Sequence, residues 1–163
     1  MRATAVAGVL VAVGSAAGCA TTVPVSVATH ATDPVCADVV LSTPDTLGPG
    51  LHRLATSAQA TTAWGTKDAP VVLRCGVEPP GPTTQRCETI QTLNGPSIDW
   101  LVIPADEAAS SSGAPTDWTF ITYGRVPAVE VHVPAKVAAE RSTSFLDALG
   151  PAIARTAKVR SCV

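Results

Sequence analysis

Residues 87–103 read Cys-Glu-Thr-Ile-Gln-Thr-Leu-Asn-Gly-Pro-Ser-Ile-Asp-Trp-Leu-Val-Ile. Two β-prone runs, Cys87 to Leu93 and Ser97 to Ile103, flank Asn94-Gly95. Tight hairpin turns need positive φ at their central residues, which Asn and Gly adopt at least cost. The stretch therefore predicts a hairpin, and a hairpin makes its two strands antiparallel.

Working upstream, Val71-Val72-Leu73 is the firmest buried-strand signal and extends toward Val77. Pro79-Pro80-Gly81-Pro82 follows and predicts a loop, because proline cannot donate to a ladder. Asp33-Pro34 predicts a helix start, with Asp33 as cap and Pro34 at the first helical position. That helix covers Val35 to Ser42 and stops before Pro44, since the residue preceding proline avoids the helical region. Leu51 to Ala63 reads as a weaker second helix.

Downstream, Ala105 to Pro115 is rich in Ala and Ser and predicts an exposed loop, while Trp118 to Tyr123 is β-rich. Val129, Val131 and Val133 alternate with Glu130 and His132, the pattern of a strand with one buried face. Phe145, Leu149 and Ile153 recur at helical spacing, with Ser144 and Asp147 as a capping pair. Pro151 must kink this helix or start another. Hairpin links and flanking helices together predict an α+β fold: a small antiparallel sheet with helices packed on one face.

At 163 residues the chain has room for one domain of ordinary size. Charged residues make up 15% and apolar ones 46%, a balance that favours a packed core over disorder. With a net charge of −2 there is no basic footprint for nucleic acid. Lys136, Arg141, Arg155, Lys158 and Arg160 make the C-terminal end mildly basic, and read as a solvated helix face.

The N-terminus has the order of an export signal. Met1-Arg2 supplies a charge, Ala3 to Val13 an apolar run, and Gly14 to Gly18 small residues before Cys19. Ala16-Ala17-Gly18-Cys19 resembles a bacterial lipobox, in which the cysteine thiol receives a diacylglycerol and becomes the first mature residue. The match departs from the pattern at Ala16, where lipoboxes usually carry Leu. The alternative is plain secretion, with cleavage after Ala17 or Ala20. The expected organisation is a signal peptide over 1–18, a tether over 19–33 and a single domain over 34–163. The protein then sits lipid-anchored on the extracytoplasmic face of the membrane, or is secreted.

Cysteine arithmetic agrees with lipidation. Of five cysteines, removing Cys19 leaves Cys36, Cys75, Cys87 and Cys162, which can form two disulfides outside the reducing cytosol. The favoured pairing is Cys75–Cys87 with Cys36–Cys162, on the expectation that the strands flanking the Pro-rich loop are neighbours. The rival is Cys36–Cys75 with Cys87–Cys162, which would put Cys36 over the central strand.

Motifs for metals, phosphates and nucleophiles are absent from the sequence, so no cofactor, metal or catalytic residue is expected. Glu130 and His132 share one strand face and are the best candidates for a base with its orienting group. Asp106-Glu107 reads as a solvated loop pair, and Asp99 as an outward neighbour of a core Trp100. Trp64-Gly65 and the run around Arg74 and Gly76 are the most distinctive stretches. Trp64 and Arg74 are the candidate ligand contacts, although Arg74 between Leu73 and Cys75 also fits a solvent-facing strand position. Gly65 and Gly76 point to positive φ or close backbone approach.

Four stretches resemble a family of small exported actinobacterial proteins known only as a domain of unknown function: the helix from Val35-Cys36, Ala63-Trp64-Gly65, Val71 to Val77, and Val126-Pro127-Ala128-Val129-Glu130-Val131. The resemblance covers about Cys36 to Cys162 and implies an envelope or secreted location, but no activity and no site residues. The expected function is a non-catalytic envelope module that binds a partner not yet identified. The alternative is an envelope-polymer hydrolase working near Glu130 and His132.

Overall fold

A computed structural model describes residues 22–92 and 95–162. The export segment and Cys19 lie outside the described residues, as does Asn94 of the hairpin turn. Helix α1 spans Pro34–Leu41, with the Asp33 carboxylate accepting from the Val35 amide at 2.9 Å. The strands are β1 (Arg53–Leu54), β2 (Thr61–Thr66), β3 (Ala69–Val77), β4 (Cys87–Ile90), β5 (Ile98–Pro104), β6 (Trp118–Thr122), β7 (Arg125–Val126), β8 (Ala128–Val133) and β9 (Ala157–Lys158). Helices α2 (Glu107–Ser112) and α3 (Ala135–Glu140), a 3-10 helix (Thr143–Leu149) and α4 (Gly150–Ile153) complete the list for the described residues.

The fold is mixed α+β. Its main sheet has seven strands in the order β1-β2-β3-β8-β6-β5-β4, every pair antiparallel, and β7 pairs with β9 separately. The predicted pairing is the β4–β5 pair, with Cys87 opposite Leu101 and Ile90 opposite Ile98, but residues 91–97 connect the strands and the expected two-residue turn is not what joins them. Alternation decides what each face holds. Val71, Leu73 and Cys75 of β3 and Val129, Val131 and Val133 of β8 point into the core, while Arg74, Glu130 and His132 occupy the other face. Cys36 and Val39 of α1, Val137 of α3, Leu146 and Leu149 of the 3-10 helix and Ile153 of α4 join that same core.

Several expectations are corrected. The segment expected as a tether is, from Thr22 onward, part of the domain. Val23 exchanges backbone bonds with Ala55 and Ser57, and Ala28 and Ala31 are buried against Val77 and Ala128. Small apolar side chains let this strap lie flat on the sheet face opposite the main core. Residues 51–63 are not helical: β1 and β2 form there, because the β-branched Thr61 and Thr62 gain ladder partners on β3. The Ala/Ser loop contains α2, whose cap is the Asp106 side chain accepting from the Ala109 amide and whose stop is Gly113 at φ +76. In the C-terminal segment Ser142, not Ser144, caps the 3-10 helix, and Pro151 starts a second helix.

The disulfide map is also corrected. Cys36 bonds Cys75, with Cα atoms 5.4 Å apart, and Cys87 bonds Cys162 at 5.9 Å. The favoured pairing assumed that β3 and β4 are neighbours. Strands β8, β6 and β5 separate them, and four interstrand steps of about 4.8 Å make roughly 19 Å. Cys75 instead meets α1 on the core side, and Cys87 meets the C-terminal segment.

Candidate functional site

The core face carries a cleft over β4, β5 and β6. There Ile90, Val102 and Trp118 are only partly buried against the core, and Phe120 lies opposite Val102 on the neighbouring strand. These side chains floor a cleft of about 440 Å³, within the usual range for small-molecule sites of about 300–1,000 Å³. Trp100 packs edge-to-face against Phe120, ring centroids 6.3 Å apart, and its indole Nε1–H is buried without a hydrogen-bond partner among the described residues.

The other wall is the connection from α3 to the 3-10 helix, where Ala138, Arg141, Ser142 and Thr143 face the cleft. Arg141 terminates α3 in extended backbone, φ −156° and ψ 158°, which turns its side chain away from the helix face on which a continued 3.6-residue period would put it. Its Nε is buried and unpartnered, and no described residue makes an ion pair with it. The guanidinium end lies beside the turn at Gly48 and Gly50, where an added Cβ would stand 3.9 Å from Nη1 and Nη2 respectively. Arg141 also lines a second hollow of about 290 Å³, together with Leu51, Lys136 and Glu140. Arg86 and Glu88, at the cleft rim, pair at 2.8 Å and are largely exposed, so their bond stabilises little.

The residues singled out from sequence lie elsewhere. Trp64 is fully buried and its Nε1 donates to the Pro44 carbonyl at 2.9 Å; it is a core anchor, not a ligand contact. Arg74 is held on the opposite sheet face by Glu130, its cross-strand partner, at 2.8 Å, and reaches the Ser26 carbonyl of the strap at 3.5 Å. Glu130 and His132 do share that face, as expected, but they do not act on each other. His132 Nε2 faces Asp117 at 3.5 Å, and the other Asp117 oxygen accepts from the Ala135 amide at 2.7 Å. Asp99, expected to face out, is buried beneath the C-terminal segment. It accepts from the Thr89 hydroxyl at 2.7 Å and the Cys162 amide at 3.3 Å.

Sequence reasoning missed two arginines. Arg125 is buried and donates to the Thr156 and Ile153 carbonyls at the end of α4. Desolvation lowers its pKa, and the charge of Asp99 opposes that shift. Arg141 was grouped with the solvated basic residues of the C-terminal end. The signal that could have separated it is its place just past the last turn of α3, where the helical period no longer applies. Among the described residues no cluster of three or more His, Cys, Asp or Glu could hold a metal, and no helix is long and apolar enough to cross a membrane.

These features define a class and not an activity: small α+β domains stapled by two disulfides, with a lined cleft at one end of an antiparallel sheet. Within that class the chain belongs to the family described as "Protein of unknown function (DUF3515)", whose model matches residues 2–162. No curated protein and no solved structure matches it.

Proposed function

We propose that the protein is an exported, non-catalytic binding module of the cell envelope, lipid-anchored through Cys19, that takes its ligand in the Arg141 cleft. The observation that carries this reading is the half-buried side chain of Arg141, unpaired among the described residues and lining a cleft that has an apolar floor and polar walls. A buried donor without a partner costs about 1–3 kcal/mol, more when charged, and such atoms are few in native structures. Export is supported by the order of the first 19 residues and by two disulfides, which persist in oxidising compartments. Residues of α1, α3, α4 and the 3-10 helix join the main core, and the strap packs on Val77 and Ala128.

The strap bears on this reading of the anchor. Four residue-to-residue steps lead from Cys19 to Val23, a span of at most about 14 Å, so a lipid on Cys19 would hold the domain close to the bilayer. The hydrolase alternative loses its pairing, because the Glu130 carboxylate is committed to Arg74.

Mass spectrometry of the mature N-terminus tests the anchoring. The expected product begins at Cys19 with a diacylglycerol thioether, and an unmodified N-terminus at Gly18 or Thr21 would overturn it. The Trp118 contribution to tryptophan fluorescence, taken as the difference between the chain and its Trp118→Phe variant, tests the cleft. Binding quenches or shifts it, and a ligand that leaves it unchanged does not use this site.

A further inference from the structure

We infer that the ligand of this cleft is an amphipathic anion: one acid head, carboxylate or phosphate, on an apolar chain. The inference rests on the reading of the cleft as the binding site and adds the chemistry of its occupant.

The head follows from Arg141. A guanidinium is a planar fork that matches two oxygens of one acid group, and the Arg141 side chain lies between the cleft and the smaller hollow beside Gly50. Ser142 stands next to it. Its oxygen accepts from the Ser144 amide at 3.2 Å, which leaves the hydroxyl proton free to donate. A neutral ligand would displace water from the guanidinium and return no charge-assisted bond. A polyanion is equally disfavoured. Glu88 lines the same cleft, Arg86 is already bonded to it, and the chain as a whole is negative. The cleft offers one uncommitted cation, and so takes one acid head.

The tail follows from the floor. Ile90, Val102, Trp118 and Phe120 form a continuous apolar surface, with Ala138 leaving room above it. Their single polar atom is the Trp118 indole Nε1, one donor for a sugar or peptide backbone that needs several partners. These side chains offer a hydrocarbon chain burial worth about 0.8 kcal/mol per methylene. Free fatty acids and lipid phosphates share this chemistry, and a titration separates them.

Decanoate, decyl phosphate and decanol are titrated by calorimetry into the full mature chain with its disulfides intact, alongside Arg141→Gln, Arg141→Lys and Ala138→Phe. Decanoate or decyl phosphate is expected to bind at least tenfold more tightly than decanol. A preference between the two acids names the head. Arg141→Gln should collapse that advantage while leaving decanol unchanged, and Arg141→Lys should retain part of it. Ala138→Phe, which fills the cleft without touching the charge, should weaken all three probes. Equal binding of acid and alcohol, with Ala138→Phe still blocking both, overturns the ligand class and leaves the cleft reading standing. Failure of all three to bind overturns both. An acid preference that survives Arg141→Gln overturns the role of the guanidinium.

Discussion

Gly76 stands where β3 bulges and the N-terminal strap crosses the sheet, and its replacement by alanine probes both at once. The glycine has φ +89°, and its carbonyl accepts the His30 amide at 2.7 Å. A Cβ added there would lie 2.4 Å from the carbonyl carbon and oxygen of His30 and 2.7 Å from the Ala31 nitrogen. All three are backbone atoms, so no rotamer change can relieve the overlap. Left-handed backbone costs a residue with a Cβ about 1–2 kcal/mol. Lifting the strap forfeits the His30 bond, about 0.5–1.5 kcal/mol, and re-exposes Ala28 and Ala31, roughly 0.8 kcal/mol per methyl. Gly76→Ala should therefore cost about 3–5 kcal/mol, a large fraction of the roughly 5–15 kcal/mol that holds a typical domain together. Urea denaturation with the disulfides intact measures the loss, and amide exchange at His30 and Ala31 locates it. A change under about 1 kcal/mol with the His30 amide still protected would refute the reasoning and return the segment to a loose tether.

Three further outcomes are expected. Arg125→Leu should destabilise the domain by about 2–4 kcal/mol in urea, because it strands the Thr156 carbonyl and removes a buried positive charge that interacts with Asp99. Non-reducing peptide mapping should recover Cys36 joined to Cys75 and Cys87 joined to Cys162. With sequence separations of 39 and 75 residues, chain entropy assigns these crosslinks about 4 and 4.5 kcal/mol, so the paired serine replacements should cost similar amounts in denaturant melts.

Local signals in this chain were readable and distant ones were not. The β4–β5 pairing, the start of α1 at Asp33-Pro34, the alternation along β8 and the positive φ at Gly65 and Gly76 all follow from a few adjacent residues and appear where the sequence put them. Strand order depends on contacts far apart in sequence. Nothing between Val77 and Cys87 says that β8 will insert beside β3 and send β4 to the sheet edge, and the disulfide map failed for that reason. The Leu51–Ala63 segment failed because small polar residues carry little helix preference, and pairing with β3 outweighs it. Trp64 was legible as distinctive, but its burial and its bond to Pro44 are tertiary facts. Arg141 belongs to the same group: only the turn of the chain beyond α3 separates it from the exposed basic residues nearby.

The most direct test of the account is the position of decanoate in the bound state, read from intermolecular NOEs to the full mature chain. Chain protons should show NOEs to the Trp118 and Phe120 rings and to the methyl groups of Val102 and Ile90, with the carboxyl end nearest Arg141 and Ser142. NOEs to Val27, Leu41 or the far sheet face around Arg74 and His132, with none at Trp118, would contradict it.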